Sequence, residues 1–291
     1  MIDTAGFIPP FRVLTGENPP LKIVDIGANP IDGPAPYAAI FEGGNAQVVG
    51  FEPNREALAK LNERKTPRET YLPHAIGDGG RHTLHMCQQP GMTSLLPPNP
   101  QVLNLFHGFP SWGQVTATES VETRRLDDIP ETAGADYIKL DIQGAELMAL
   151  QNATQRLADA VVIHCETEFL QMYAGQPLFS DIELFLRGRG FAFHRFYPIV
   201  SRMVQPLSMG EDIYAGMSQQ FWADSVFIRD LTKLDALSEK QLLAMAAILH
   251  DCYQSLDVAV HLLIAYDQRS GRQLAGNYLN NLRASATQRA A

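Results

Sequence analysis

Lys22-Ile23-Val24-Asp25-Ile26-Gly27-Ala28-Asn29, answered by Val48-Val49-Gly50-Phe51-Glu52-Pro53, decides how this chain is read. Each stretch is a short apolar run closed by an acidic residue and a turn former, the pattern of a buried parallel strand feeding a tight turn. At Gly27 the missing side chain lets backbone N–H groups approach a ligand. Glu52 closes the second run, where an acid at a strand's carboxyl end can accept hydrogen bonds from both hydroxyls of a ribose. Together the two stretches predict a nucleoside site.

The turn itself narrows the choice of nucleoside. Gly27-Ala28-Asn29-Pro30-Ile31-Asp32-Gly33 lacks the second glycine of G-x-G-x-x-G, so it is poorly suited to a pyrophosphate. Asp25 would repel phosphates, whereas it suits the sulfonium and amino group of S-adenosylmethionine. That cofactor is expected, with Asp25, Gly27, Asn29, Glu52 and Pro53 as its candidate residues. Asp25 and Glu52 as ordinary capping acids are the plain alternative.

Val24-Asp25-Ile26-Gly27-Ala28-Asn29, Phe51-Glu52-Pro53, Leu126-Asp127-Asp128-Ile129 and Ile138-Lys139-Leu140-Asp141-Ile142-Gln143-Gly144-Ala145-Glu146 follow one another in the chain. In this order they resemble the successive signatures of the FkbM-type methyltransferases, over roughly residues 20 to 230. The resemblance implies a doubly wound, Rossmann-like class I methyltransferase α/β sheet, mostly parallel with an antiparallel last strand. It also implies methyl transfer from S-adenosylmethionine to a hydroxyl of a sugar, glycan or secondary metabolite. The family usually carries Glu where Gln143 stands, and its first turn is shorter than Asn29 to Tyr37.

The 291 residues, 45% hydrophobic, suffice for one large α/β domain with an appendage. The expected division is an N-terminal arm over 1–20, a methyltransferase domain over 21–230 and a helical C-terminal extension over 231–291. A net charge of −9 and a pI near 5.3 argue against a nucleic-acid substrate. Cys87, Cys165 and Cys252 are far apart and form no C-x-x-C pair. With no apolar run long enough to span a bilayer, the expectation is a soluble cytoplasmic protein.

Family resemblance puts the adenine edge at Thr70 to Asp78, with Ala75 and Ile76 as an apolar wall and Asp78 accepting from the amino group. Asp78-Gly79-Gly80 is equally a good hairpin turn. His82 and His85 fall on opposite strand faces, so no shared metal is expected there. Gln88 to Gln114 is a long loop of the kind that forms lids. Within it Ser94 matches a family segment near the active site, and Phe109 and Trp112 offer either an acceptor platform or core packing.

Strand alternation over Asp136 to Asp141 puts Lys139 and Asp141 on one face. Asp141 stands at the strand's carboxyl end, where ligands of doubly wound folds sit, beside the reacting methyl. Ala160 to Glu166 is the next strand, with His164 and Glu166 on one face. The candidate catalytic residues are therefore Asp141, His164, Glu166 and Lys139, with Asp141 or the His164/Glu166 pair as base. Glu146 either caps the following helix or faces the substrate. These groups have no metal-ligand spacing, and no metal is expected.

Ser238-Glu-Lys-Gln241 is a capping box that opens a helix through Tyr253, and Leu256 to Tyr266 forms another. Their apolar residues, Leu242, Met245, Leu249, Val260, Leu263 and Ile264, dock on the parent domain or form a homodimer contact. The tail after Arg283 is expected to fray. A catalytically degenerate fold kept for binding or scaffolding is the alternative function.

Overall fold

The computed structural model describes residues 8–29 and 33–287. Ten strands occur among them: β1 Leu21–Ile26, β2 Ala46–Phe51, β3 Glu69–Leu72, β4 Ala75–Ile76, β5 Arg81–Cys87, β6 Val115–Arg124, β7 Tyr137–Leu140, β8 Val162–Glu168, β9 Phe191–Arg202 and β10 Gln219–Arg229. Seven form one sheet in the order β3-β2-β1-β7-β8-β10-β9. Its first five strands are parallel, and β10 runs antiparallel to both β8 and β9. The expected doubly wound sheet with an antiparallel strand is thus present. The order reverses direction between β1 and β7, which opens a crevice at the carboxyl ends of those strands.

Alternation along the strands divides the core in two. Val24, Ile26, Ile138, Leu140 and Ile163 face the helices Glu146–Gln151, Thr154–Asp159 and Phe179–Arg187. Ile23, Tyr137, Val162 and Val226 face the other way, into the C-terminal helices. There Leu242, Met245, Leu249 and Leu263 are completely buried against the sheet. Each such side chain contributes about 1.5–3 kcal/mol by leaving water.

The helices of residues 231–287 pack on this face of the sheet. Leu242, Met245, Leu249 and Leu263 take the docking alternative, whereas Val260 is half-buried and Ile264 is 45% exposed. The capping box forms as read: Ser238 Oγ accepts from Gln241 N at 3.2 Å, and Gln241 Oε1 accepts from Ser238 N at 3.0 Å. The last helix, Leu274–Thr287, runs past Arg283, so the expected fraying does not begin there; residues 288–291 lie outside the described residues.

The start of the N-terminal arm, residues 1–7, also lies outside the described residues, as do Pro30, Ile31 and Asp32 of the first turn. The rest of the arm packs rather than projects. Phe11 sits against His250 and Tyr278, and its N–H donates to Asp251 Oδ1 at 2.8 Å. No helix among the described residues is long and apolar enough to cross a membrane.

The long segment between β5 and β6 is not an open loop. It folds into the short turns Pro90–Met92, Pro100–Leu103 and Phe109–Trp112. Leu103, Phe106 and Phe109 form a third core with Tyr173 and Phe221. Trp112 packs on Phe109 and stacks on Tyr214 with ring centroids 5.5 Å apart. Its ring is half-buried, so of the two expected roles it takes core packing at least in part.

Candidate active site

The sheet register lines up the site. Ile26 pairs with Phe51 on one side and Leu140 on the other, and Leu140 pairs with Cys165. One residue further along, Glu52, Gly27, Asp141 and Glu166 stand abreast at four neighbouring strand ends, and Glu166 pairs with Asp224 of β10. Two residues deeper on each strand, on the same face, lie Asp25, Lys139 and His164. Two polar rows thus cap an otherwise apolar sheet face at its carboxyl edge.

Gly27 has φ +84°, and a Cβ there would run into the Asp141 carbonyl oxygen. Only glycine lets the first turn close against β7. Lys139 Nζ then donates to Gly27 O at 2.9 Å and lies 3.4 Å from Asp25 Oδ1 and 3.5 Å from Asp141 Oδ2. Burial opposes the Lys139 charge, but Asp25 and Asp141 more than offset it and raise its pKa. Lys139 is the cation that lets two acids coexist in a small volume.

Asp25 is 3% exposed. Its Oδ2 accepts from the Tyr37 hydroxyl at 2.5 Å, while Oδ1 faces Lys139 without a hydrogen bond. Burial pushes its pKa up, and Lys139 and Tyr37 pull against that rise. Glu52 is also buried; Oε1 accepts from Asn54 N at 2.7 Å. Among the described residues no hydrogen bond to Oε2 is formed. Asn29 and Pro53 lie exposed at the rim. The Asp25 carboxylate, whose Oδ1 has the Lys139 ion pair but no hydrogen bond, the side-chain-free turn at Gly27 and the available oxygen of Glu52 fit the amino acid and ribose ends of S-adenosylmethionine.

Of the expected adenine wall, Ala75 and Ile76 form β4, which pairs with β6 in a separate three-stranded sheet. Asp78 spends Oδ1 on its own turn, accepting from Gly80 N at 2.7 Å and Thr123 Oγ1 at 3.2 Å, with His82 Nε2 at 2.8 Å. The turn reading of Asp78 therefore fits better than an adenine contact.

Beside Asp141 the chain makes an unusual turn. Gln143 has φ +56° and Gly144 φ +99°. The Gln143 side chain folds back over the strand ends, and Nε2 donates to Asp141 Oδ1 at 3.1 Å and to Glu166 Oε2 at 2.8 Å. Its Oε1 accepts from the Tyr173 hydroxyl at 2.9 Å, and its carbonyl from Ser94 Oγ at 2.5 Å. Ser94 is thus near the site, as read, but it holds the turn and is itself buried.

Glu146, expected either to cap the helix or to meet substrate, instead holds the turn that precedes it, and the helix start carries no side-chain cap. Its two oxygens accept from Ile142 N at 2.8 Å and Gly144 N at 2.9 Å. Burial pushes its carboxyl up to about 7 despite those donors. The geometry removes it from the substrate contacts.

His164 also departs from expectation. Its Nδ1 lies 2.9 Å from the Tyr253 hydroxyl, which meets the Tyr137 hydroxyl at 2.7 Å, and Nε2 lies 3.2 Å from Asp224 Oδ2. Both nitrogens are engaged and the ring is 2% exposed, so His164 is a tie to the C-terminal layer rather than a base. Glu166 does join Asp141. Burial, then Asp141, Glu168 and Glu146, hold its carboxyl well above the usual range. Glu168 is raised for similar reasons, and neither of its oxygens has a hydrogen bond.

Tyr37, Tyr173 and Asp224 were missed. Asp224, a lone acid in the apolar run Ala223 to Ile228, carried a readable signal. Tyr37 reaches Asp25 from the end of the long first turn and Tyr173 from a separate segment, and neither left such a signal.

The family model described as methyltransferase FkbM domain matches residues 25–193. The 2-O-methyltransferase NoeI of Sinorhizobium fredii is 32% identical over 178 residues, covering 58% of this chain and 72% of that protein. Among solved structures, a putative methyltransferase from Thermoplasma acidophilum is similar with a TM-score of 0.37 and 9% identity, over 73% of this chain and 69% of that one. LepI in complex with SAM follows at 0.34 and 13%, over 78% and 49%. The chain belongs to the FkbM methyltransferase family and is an S-adenosylmethionine-dependent methyltransferase.

Proposed function

We propose that this enzyme is an O-methyltransferase acting on a hydroxyl of a sugar, a glycan or a secondary metabolite. The observation that carries the reading is the Asp141–Glu166 pair, joined by Gln143 at the carboxyl edge of the sheet in the same row as Glu52 and Gly27. An acceptor hydroxyl must lose one proton as its oxygen is methylated, and carboxylates at hydrogen-bond reach supply that function. The 2-O-methylation in the name of NoeI supports oxygen as the acceptor atom.

S-Adenosylmethionine supplies an electrophilic sulfonium methyl. We assign Glu52 to its ribose, and Asp25, Gly27 and Asn29 to its amino acid end. Lys139 holds Asp25 and Asp141 in place and neutralises part of their charge. Asp141, with its side chain one-third exposed, is the base, and Glu166 shares its proton load. The segments carrying Ser94 and Tyr173 close over the same edge and limit water there. Three buried, unpaired thiols favour a reducing compartment, and we assign the protein to the cytoplasm.

Calorimetric titration with S-adenosylhomocysteine and NAD⁺ in parallel, followed by methyl transfer to panels of glycans and hydroxylated metabolites, tests this. Micromolar binding of the first ligand, none of the second, and a product methylated on oxygen are expected. A product methylated on nitrogen or sulfur overturns the O-methyl reading. Binding without transfer to any acceptor in the panels favours a degenerate binding protein.

A further inference from the structure

We infer that Gln143 is the positioning residue of the acid–base pair, a neutral two-handed donor that holds Asp141 and Glu166 together and sets how they share a proton. The inference rests on the base assignment above, and deepens it.

Three observations converge on Gln143. Its backbone is in the left-handed region, where a residue with a Cβ is held only if its surroundings demand it. Ser94 Oγ fixes its carbonyl, so the turn is pinned from outside. The Tyr173 hydroxyl lies 2.9 Å from Oε1 and 3.3 Å from Met92 O, and with Oε1 toward it Nε2 faces the two carboxyls. Reversed, Oε1 would face two carboxylates and Nε2 would face a hydroxyl. In the observed orientation each N–H meets one carboxylate.

The surroundings make such a donor necessary. Glu166 is faced by Asp141 from β7, Glu146 from the following helix, Glu168 from its own strand and Asp224 from β10. His164 is turned toward Asp224 and Tyr253, away from the pair. Lys139 serves Asp141 on its far oxygen and is shared with Asp25. The Gln143 amide is then what stands between the two facing carboxyls. It has no titratable proton, so it favours their charged forms without joining the exchange.

Substitution separates this role from a structural one. Gln143→Glu puts a third carboxyl between two others, and Gln143→Ala removes the donors; both leave the charged form of Glu166 less supported. Carboxyl-¹³C NMR titration of the full-length protein labelled at Glu reads this without any acceptor, with Glu166 assigned by its loss in Glu166→Gln. The expected result is a midpoint for Glu166 higher by about one unit or more in both variants.

Tyr173→Phe, which frees the amide to rotate but leaves the turn, should move the midpoint in the same direction by less. Ser94→Ala, which loosens the turn that carries Gln143, should also move it upward, by less than Gln143→Ala. An unmoved Glu166 midpoint in folded Gln143→Ala and Tyr173→Phe overturns the inference. A moved midpoint in a protein without methyl transfer to oxygen overturns the O-methyltransferase reading and leaves the role of Gln143 standing.

Discussion

The Lys139 ammonium stands 3.4 Å from Asp25 Oδ1, with both side chains buried at the carboxyl ends of adjacent strands. The same ammonium donates to Gly27 O and reaches Asp141, so one cation ties the cofactor end of the site to its acid–base end. Removing one partner from a buried pair leaves an uncompensated charge. Lys139→Met is therefore expected to cost about 3–5 kcal/mol in urea unfolding. Combined with Asp25→Asn, the loss should be clearly smaller than the sum of the single variants; strict additivity would mean the pair is not coupled.

Gly27→Ala tests the close approach of the first turn to β7. The added methyl meets the Asp141 carbonyl oxygen at a residue already at positive φ. Strain and overpacking together should cost roughly 3 kcal/mol or more and abolish S-adenosylhomocysteine binding. Wild-type thermal stability with intact binding would show that the turn has room to shift.

Glu52→Ala addresses the ribose contact. Loss of a charge-assisted hydrogen bond should weaken S-adenosylhomocysteine by about 1.5–3 kcal/mol, roughly ten- to a hundredfold in Kd. Calorimetry reads this directly, and an unchanged Kd removes Glu52 from the cofactor site.

Asp141→Asn keeps the shape of the base and removes its charge. Methyl transfer should fall by about 10²–10⁴-fold while the protein still melts cooperatively. Full activity in this variant would move the base to Glu166 or Asp224.

Glu146 gives a pH signature. Its carboxyl, pushed up to about 7 from 4.5, keeps in the folded state a proton that the unfolded chain releases. The contribution to stability is whole below pH 4.5 and is lost as pH rises toward 7. Across that window the wild type should lose up to about 3 kcal/mol relative to Glu146→Gln, in which the position does not titrate. Parallel urea curves at pH 5 and pH 8 measure the difference; equal losses in both proteins would contradict the shift.

Local pattern alone determined a good deal of this protein. Asp25-Ile-Gly and Phe51-Glu-Pro announced two parallel strand ends and a nucleoside cofactor, because a strand's alternation and a turn's need for glycine are properties of a few adjacent residues. The capping box at Ser238 was legible for the same reason. The identity of the cofactor and the family followed from the order of such short blocks.

The tertiary structure alone decided which polar side chains are used up by the protein itself. Glu146, His164 and Asp78 had the right chemistry and the right strand ends, yet each spends its polar atoms on backbone amides or on neighbours brought in from elsewhere. Tyr253 and Tyr173 lie far from their partners in sequence and close to them only once the layers have packed. Leu242, Met245 and Leu249 of the C-terminal helices needed a partner, and only the packed layers show the sheet to be that partner. A hydrogen bond or a buried face depends on what stands opposite, and no periodicity within a segment carries that information.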